Sequence, residues 1–184
     1  MKKKMTIKTI ILLAFITIGT SVFAQHATVN WISIEEAQEA MKEQPKKVLM
    51  DVYTNWCGPC KMMMKNTFTD PNVIAYINEH YYAVKFNAEG EKDVTFKGNT
   101  YSNAGFNPAK ANSRNSTHDF TRAIAPVNGR IAYPTIIYLD EGFNILAPVQ
   151  GYQKPEQIMP ILSYFGEGAY ESMDWQTFSS TYGK

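Results

Sequence analysis

Cysteine is nearly absent from this chain: the 184 residues hold two, Cys57 and Cys60. With no third or fourth cysteine to pair with, a framework of structural cross-links is excluded. A bridge across so short a separation closes a tiny loop and removes little entropy from the unfolded chain, so a structural staple is the weakest reading of the pair. Histidine is also scarce. His26, His80 and His118 are scattered without paired spacing, so the cysteines lack the partners of a four-ligand zinc site. No metal is expected, and a zinc or copper carrier stands only as an alternative. Neither sign of charge dominates, with 18 Lys and Arg against 17 Asp and Glu, so no nucleic-acid partner is expected. The chain has no flavin or nicotinamide motif and no internal repeats.

What is present begins with a leader. Lys2, Lys3, Lys4 and Lys8 flank an apolar stretch, Ile10 to Ile18, broken only by Thr17. Val22 and Ala24 then occupy the small-residue positions of a cleavage site, the layout of a secretory signal peptide over residues 1–24. The apolar stretch is well short of the roughly 20 residues that span a bilayer. An uncleaved anchor is the alternative, and the absence of cysteine at the cleavage point argues against a lipoprotein. Cleavage leaves residues 25–184, a length suited to one domain, with 14 basic and 17 acidic residues.

Along that remainder, Ser33-Ile34-Glu35-Glu36 reads as a capping box, followed by apolar residues at helical spacing up to Pro45. Val48 to Thr54 is a short apolar run suited to a strand buried on both faces, with Asp51 its one charge. Cys57 to about Thr69 reads as helix, with Pro59 acceptable in the first turn. Asp70 caps a second helix to His80, and Tyr81 to Asn87 is the next strand. Thr135 to Asp140 and Asn144 to Val149 read as an antiparallel pair about Glu141-Gly142, and Pro155 opens a helix through Phe165. An aromatic-rich extension, about 167–184, reads as a short docked helix. Residues 89–117 break the pattern: Val94 to Ser102 fits a hairpin around Lys97-Gly98-Asn99, and Asn103 to Ser116 a loop. The sequon Asn115-Ser116-Thr117 is read as chance. Of Met62, Met63 and Met64, adjacent on a helix, at least one is expected in the core and another exposed. Strands alternating with helices, then a final hairpin and helix, give an α/β class: a central mixed sheet covered on both faces.

Cys57 falls where a strand has ended and a helix begins. Free amides and the helix dipole stabilise an anion there, so its thiol is expected to ionise more readily than an ordinary cysteine. The thiolate is the attacking form in disulfide exchange. Cys60 lies one turn deeper on the same side and can attack a mixed disulfide formed at Cys57. Gly58 and Pro59 keep the intervening turn tight. Cys57 is therefore read as the nucleophile and the more exposed thiol, and Cys60 as the resolving thiol.

These residues carry a resemblance. VLMDVYTNWCGPCK, from Val48 to Lys61, resembles the active-site region of thioredoxin, CGPC included. The longer run to Asn87 and beyond, with its TFTDPNVI turn, resembles secreted or periplasmic thioredoxin-like proteins related to the C-terminal domain of DsbD. YPTIIYLDEGFNIL is similar to the family's cis-proline strand, and QGYQKPEQIMPIL to its last strand and helix. The resemblance implies a thioredoxin fold with an insertion, about 89–117, before the cis-proline strand. It implies a buried acid at Asp51 that takes or relays the proton of Cys60, with Lys85 as the lysine facing that acid. It places Tyr133 and Pro134 at the cis-proline pair, with Trp56 and Gly151 flanking the substrate groove. Tyr133 is larger than the residue usual before that proline, which leaves the groove's width open.

The implied activity is that of an exported thiol–disulfide oxidoreductase acting on protein thiols and disulfides, with the Cys57–Cys60 dithiol as its only redox group and no other cofactor. A reducing direction is favoured by CGPC. A periplasmic reductase of this kind needs an electron donor, expected to be a membrane relay protein. A thioredoxin-like binding or chaperone module, and an oxidase or isomerase running the same chemistry, remain the alternatives. The insertion reads equally as an overhang on the groove or a passive surface loop.

Overall fold

The capping box expected at Ser33 forms. In this computed structural model, which describes residues 28–184, Ser33 Oγ accepts the Glu36 amide at 3.1 Å and the Glu36 carboxylate accepts the Ser33 amide at 2.7 Å. These bonds satisfy donors that a helix start leaves free, and α1 runs Ile34–Glu43 with Ile34, Ala37 and Met41 buried. The leader expected over residues 1–24 lies outside the described residues.

The apolar run after Pro45 forms β2, Lys47–Tyr53. It is the middle strand of a five-stranded sheet ordered β1 (Trp31–Ile32), β3 (Tyr81–Asn87), β2, β6 (Thr135–Leu139), β7 (Ile145–Gln150). β1, β3 and β2 run parallel, and β6 and β7 run antiparallel to their neighbours, so the sheet is mixed as expected. The two-residue β1 was not anticipated.

The alternation of a strand's side chains sorts β2 between two layers. Val48, Met50 and Val52 pack on the side of α1. Leu49 packs on the other side, with residues of α2 (Gly58–Asn66), α3 (Pro71–His80) and α5 (Pro155–Gly166). Asp51 shares the parity of Leu49, so it is turned under this three-helix layer. Lys85 is its cross-strand neighbour on β3 and shares the parity of Tyr81 and Ala83, which belong to the same layer. The strand run and the placement of the acid are thus one fact: an apolar strand carries one carboxyl, and the pleat turns it to the side of the three helices.

Met63 of α2 is 1% exposed and Met62 is 49% exposed, as a helix forces on adjacent residues. The expected helix to Thr69 stops earlier, at Asn66, and Asp70 Oδ1 then accepts the amides of Asn72 and Val73 to start α3.

The segment 89–117 divides into two parts. Its first part is the expected hairpin, β4 (Val94–Phe96) and β5 (Asn99–Tyr101), turning through Lys97 and Gly98 at positive φ. Val94 and Phe96 are buried in the core. The Phe96 ring lies 5.2 Å from that of Phe120, on an unanticipated helix α4 (Asp119–Ile124). The hairpin is therefore core structure rather than a passive insertion. The second part is the expected loop, with a 3-10 turn at Pro108–Lys110. Asn103 is buried and its Nδ2 donates to the carbonyls of Gly90 at 2.9 Å and Ser116 at 2.8 Å, which ties the loop's ends together. At the C-terminus, α6 (Trp175–Thr181) docks through its aromatics, with Trp175 and Phe178 lying 5.4 and 5.1 Å from the Tyr164 ring.

Candidate active site

β2 ends at Tyr53, and Thr54-Asn55-Trp56 carries the chain to Cys57, the N-cap of α2. Cys57 Sγ accepts the Cys60 amide at 3.1 Å, so the sulfur occupies the place that a capping oxygen usually takes. The two cysteines are joined as a disulfide, with Cα atoms 5.3 Å apart. Gly58 and Pro59 lie exposed in the first turn between them, where proline's missing N–H would be unpaired in any case.

One expectation is corrected. Cys57 is not the more exposed cysteine: both are buried, at 2% and 3% exposed. Exposure does not separate them in the bonded form. Position does. Cys57 caps the helix, at the positive end of its dipole, whereas Cys60 lies buried one turn further on.

Asp51 is 1% exposed, and its Oδ1 has no hydrogen-bond partner among the described residues. Burial pushes its carboxyl up to about 7, and the nearby charge of Lys85 opposes part of that rise. Lys85 stands beside the acid in the sheet, as expected, but no ion pair joins them. Its ammonium lies 4.9 Å from the Tyr53 ring centroid and 6.0 Å from that of Trp31. Lys85 therefore acts on Asp51 as a neighbouring charge, not as a bonded partner. A cavity of about 350 Å³ opens beside Cys60, lined among others by Lys61, Lys65 and Lys85.

On the opposite wall the Tyr133-Pro134 peptide is cis. The Tyr133 ring meets Trp56 edge-on, with centroids 6.0 Å apart. Burial pushes the Tyr133 phenol up to about 12. Gly151 donates its N–H to the Pro134 carbonyl at 2.9 Å. Its φ of +98° favours glycine, and a Cβ there would meet nothing within 4 Å. Backbone conformation is thus a reason for glycine at this position.

Two contributors escaped the sequence reading. Glu89, 8% exposed, accepts the Trp56 indole N–H at 2.7 Å and the Asn115 amide at 2.8 Å. The Arg114 guanidinium lies 4.5 Å from the Trp56 ring centroid. Nothing local marks either residue, since their partners lie far along the chain. The Asn115 side chain of the sequon is fully engaged inside the loop, accepting from the amides of Asn107 and Ser116 and donating to the Asn107 carbonyl.

Comparison with known proteins places this geometry. Residues 34–166, more than half of the chain, match the family profile described as a thioredoxin-like domain. The chain is 49% identical over 39 residues to the thiol:disulfide interchange protein DsbD of Haemophilus ducreyi, a match covering 21% of this chain and 7% of that protein. It is 39% identical over 62 residues to the DsbD of Vibrio vulnificus, covering 30% of this chain and 10% of that one. The matched segments are thus a small part of those longer proteins. Among solved structures, a putative disulphide-isomerase from Bacteroides thetaiotaomicron superposes with a TM-score of 0.52 at 23% identity, covering 82% of this chain and all of that one. A thioredoxin-fold protein from Helicobacter pylori gives 0.53 at 19% identity, covering 86% of each chain. At these identities the likeness is one of fold. The family match, the sheet order and the Cys57–Cys60 pair at the head of α2 agree, and the chain belongs to the thioredoxin-like family.

Proposed function

We propose that this chain is an exported thiol–disulfide oxidoreductase that works as a reductase on protein disulfides. The observation that carries the reading is the position of the pair: Cys57 caps α2, and Cys60, one turn on, is buried and bonded to it.

The reduced protein begins with the Cys57 thiolate, stabilised by the free amides of the helix start. Its Sγ attacks one sulfur of a substrate disulfide. A bond forms between Cys57 and that sulfur, the substrate S–S bond breaks, and the other substrate sulfur leaves as a thiolate. Cys60 then gives its proton to the Asp51 carboxylate and attacks Cys57 Sγ. The Cys57–Cys60 bond forms and the second substrate sulfur is released. Two electrons have passed from the protein dithiol to the substrate. An acid tuned to about 7 can accept that proton at neutral pH and return it when the pair is reduced again. Trp56, Tyr133, Pro134 and Gly151 frame the groove in which an extended substrate lies, with Gly58 and Pro59 at its floor. A dithiol donor must recharge the protein, and a membrane relay is the class that suits an exported reductase. The leader at residues 1–24 supports export, and no helix among the described residues is long and apolar enough to cross a membrane.

Cys60→Ser tests the reading. It leaves the attack intact and removes resolution, so disulfide-linked complexes through Cys57 are expected to accumulate with exported cysteine-containing proteins, and to vanish on reduction. Absence of such complexes in the variant, with the protein folded and exported, would contradict the oxidoreductase reading and favour a binding module.

A further inference from the structure

The loop Asn103–Ser116 has no counterpart in the strand-and-helix frame that builds the pair, yet it is fastened to the turn that precedes Cys57. Asn55 Nδ2 donates to the Ala111 carbonyl at 2.8 Å. The Glu89 carboxylate holds Trp56 and Asn115 with the same oxygen, Oε2. Arg114 covers the Trp56 ring. Asn115 and Asn103 brace the loop from within, so its docking is an ordered surface and not a chance approach. Trp56 flanks the substrate groove in the reading above, and the loop therefore forms part of that groove's rim.

The charge of this rim is one-sided. Glu89 is the acid that touches it, and that carboxylate is buried and already occupied by two N–H donors. Arg114 is exposed, and its guanidinium lies 4.5 Å from the Trp56 ring centroid, where its N–H groups can meet a carboxylate. Lys61 and Lys65 are exposed on α2 and line, with Lys85, the cavity that reaches Cys60. No acidic residue lines that cavity. Among the described residues none of Arg114, Lys61 and Lys65 is in an ion pair. A chain with slightly more acid than base after its leader thus presents uncompensated cations over Trp56 and along α2, next to its disulfide.

We infer that the docked loop and the head of α2 form a cationic rim that selects protein substrates carrying acidic residues beside the target disulfide. The inference rests on the oxidoreductase reading and names the substrate class of the same site. Carboxylates approaching the groove meet Arg114 on the loop side and Lys61 and Lys65 on the helix side. One-signed charge around a cleft raises the association rate of an oppositely charged partner by about 10- to 10³-fold at low salt, and that attraction is screened as salt rises.

The test uses the full mature protein, reduced, and two synthetic peptides. Each peptide closes the same intramolecular disulfide loop, flanked by Glu in one and by Lys in the other. Second-order rates of thiol loss are measured for both. The Glu peptide is expected to react at least about tenfold faster at low salt, with the difference shrinking toward unity in 1 M salt. In a variant carrying Arg114→Glu, Lys61→Glu and Lys65→Glu the preference is expected to reverse, and Arg114→Glu alone is expected to weaken it. Equal rates for the two peptides at low salt would overturn the rim, as would a preference untouched by Arg114→Glu. Reaction of neither peptide would overturn the oxidoreductase reading itself, and the rim with it.

Discussion

Cys57→Ser is expected to lower insulin reduction with dithiothreitol to the rate of dithiothreitol alone, a loss on the order of 10³-fold or more in the protein's own contribution. Serine cannot form the mixed disulfide, so no later step can begin. The fold is expected to survive. Cys57 is the N-cap of α2 and its sulfur accepts the Cys60 amide. Serine is among the best residues at that position, and its hydroxyl can accept the same bond. The lost cross-link spans so short a loop that it contributes little to stability through the unfolded chain. Turbidity traces for the wild type and the variant, with circular dichroism as the folding control, check the expectation. Equal traces would show that the cysteines are incidental to whatever the protein does.

Asp51→Asn is expected to make the oxidised protein more stable and the reduced protein a poorer catalyst. The sign follows from the raised pKa. Burial holds the folded carboxyl up at about 7, against an ordinary value of 3.8 in the unfolded chain. Between those values the folded state keeps a proton that the unfolded state releases. The wild type is therefore most stable below about pH 4 with respect to this group and loses stability as pH rises to about 7. The slope is about 1.4 kcal/mol per pH unit, or about 4 kcal/mol across the window. Asparagine does not ionise and carries no such dependence. Urea unfolding is expected to give near-equal stabilities at pH 4 and a variant more stable by about 4 kcal/mol at pH 8. A stability difference independent of pH would mean that Asp51 does not carry this titration. The same substitution removes the proton acceptor proposed for Cys60. Mixed disulfides through Cys57 are expected to resolve more slowly at neutral pH, on the order of 10²-fold. A residue whose removal stabilises the fold while slowing the chemistry is one retained for the chemistry.

The part of this site that was legible in the sequence is the part built from local signals. The capping box at Ser33, the apolar run around Asp51, the CGPC turn and the Tyr-Pro pair each announce themselves within a few residues, and the family resemblance sets them in one fold. What was missed lacks such signals. β1 is two residues long, too short for any alternation to register. α4 is a six-residue helix whose N-cap is His118, with Nδ1 accepting the Phe120 amide at 3.0 Å. Phe120, Thr121 and Ile124 are its buried face, a helical spacing that could have been read but that follows a long polar stretch. Glu89 could not have been found at all, because its partners Trp56 and Asn115 lie 33 and 26 residues away. The greater exposure expected of Cys57 failed for a different reason: sequence position gives the helix end, while burial depends on tertiary packing that no local signal announces.

The direction of electron flow is the centre of the account, and a redox titration of the Cys57–Cys60 pair tests it most directly. The protein is equilibrated in dithiothreitol buffers of graded composition, the thiols are alkylated, and the oxidised fraction is read by mass. A reductase that awaits recharging by a donor is expected to give a midpoint close to the about −270 mV of a reducing thioredoxin. A midpoint near the about −120 mV of a strong periplasmic oxidant would contradict the account and assign the same chemistry to the oxidising direction.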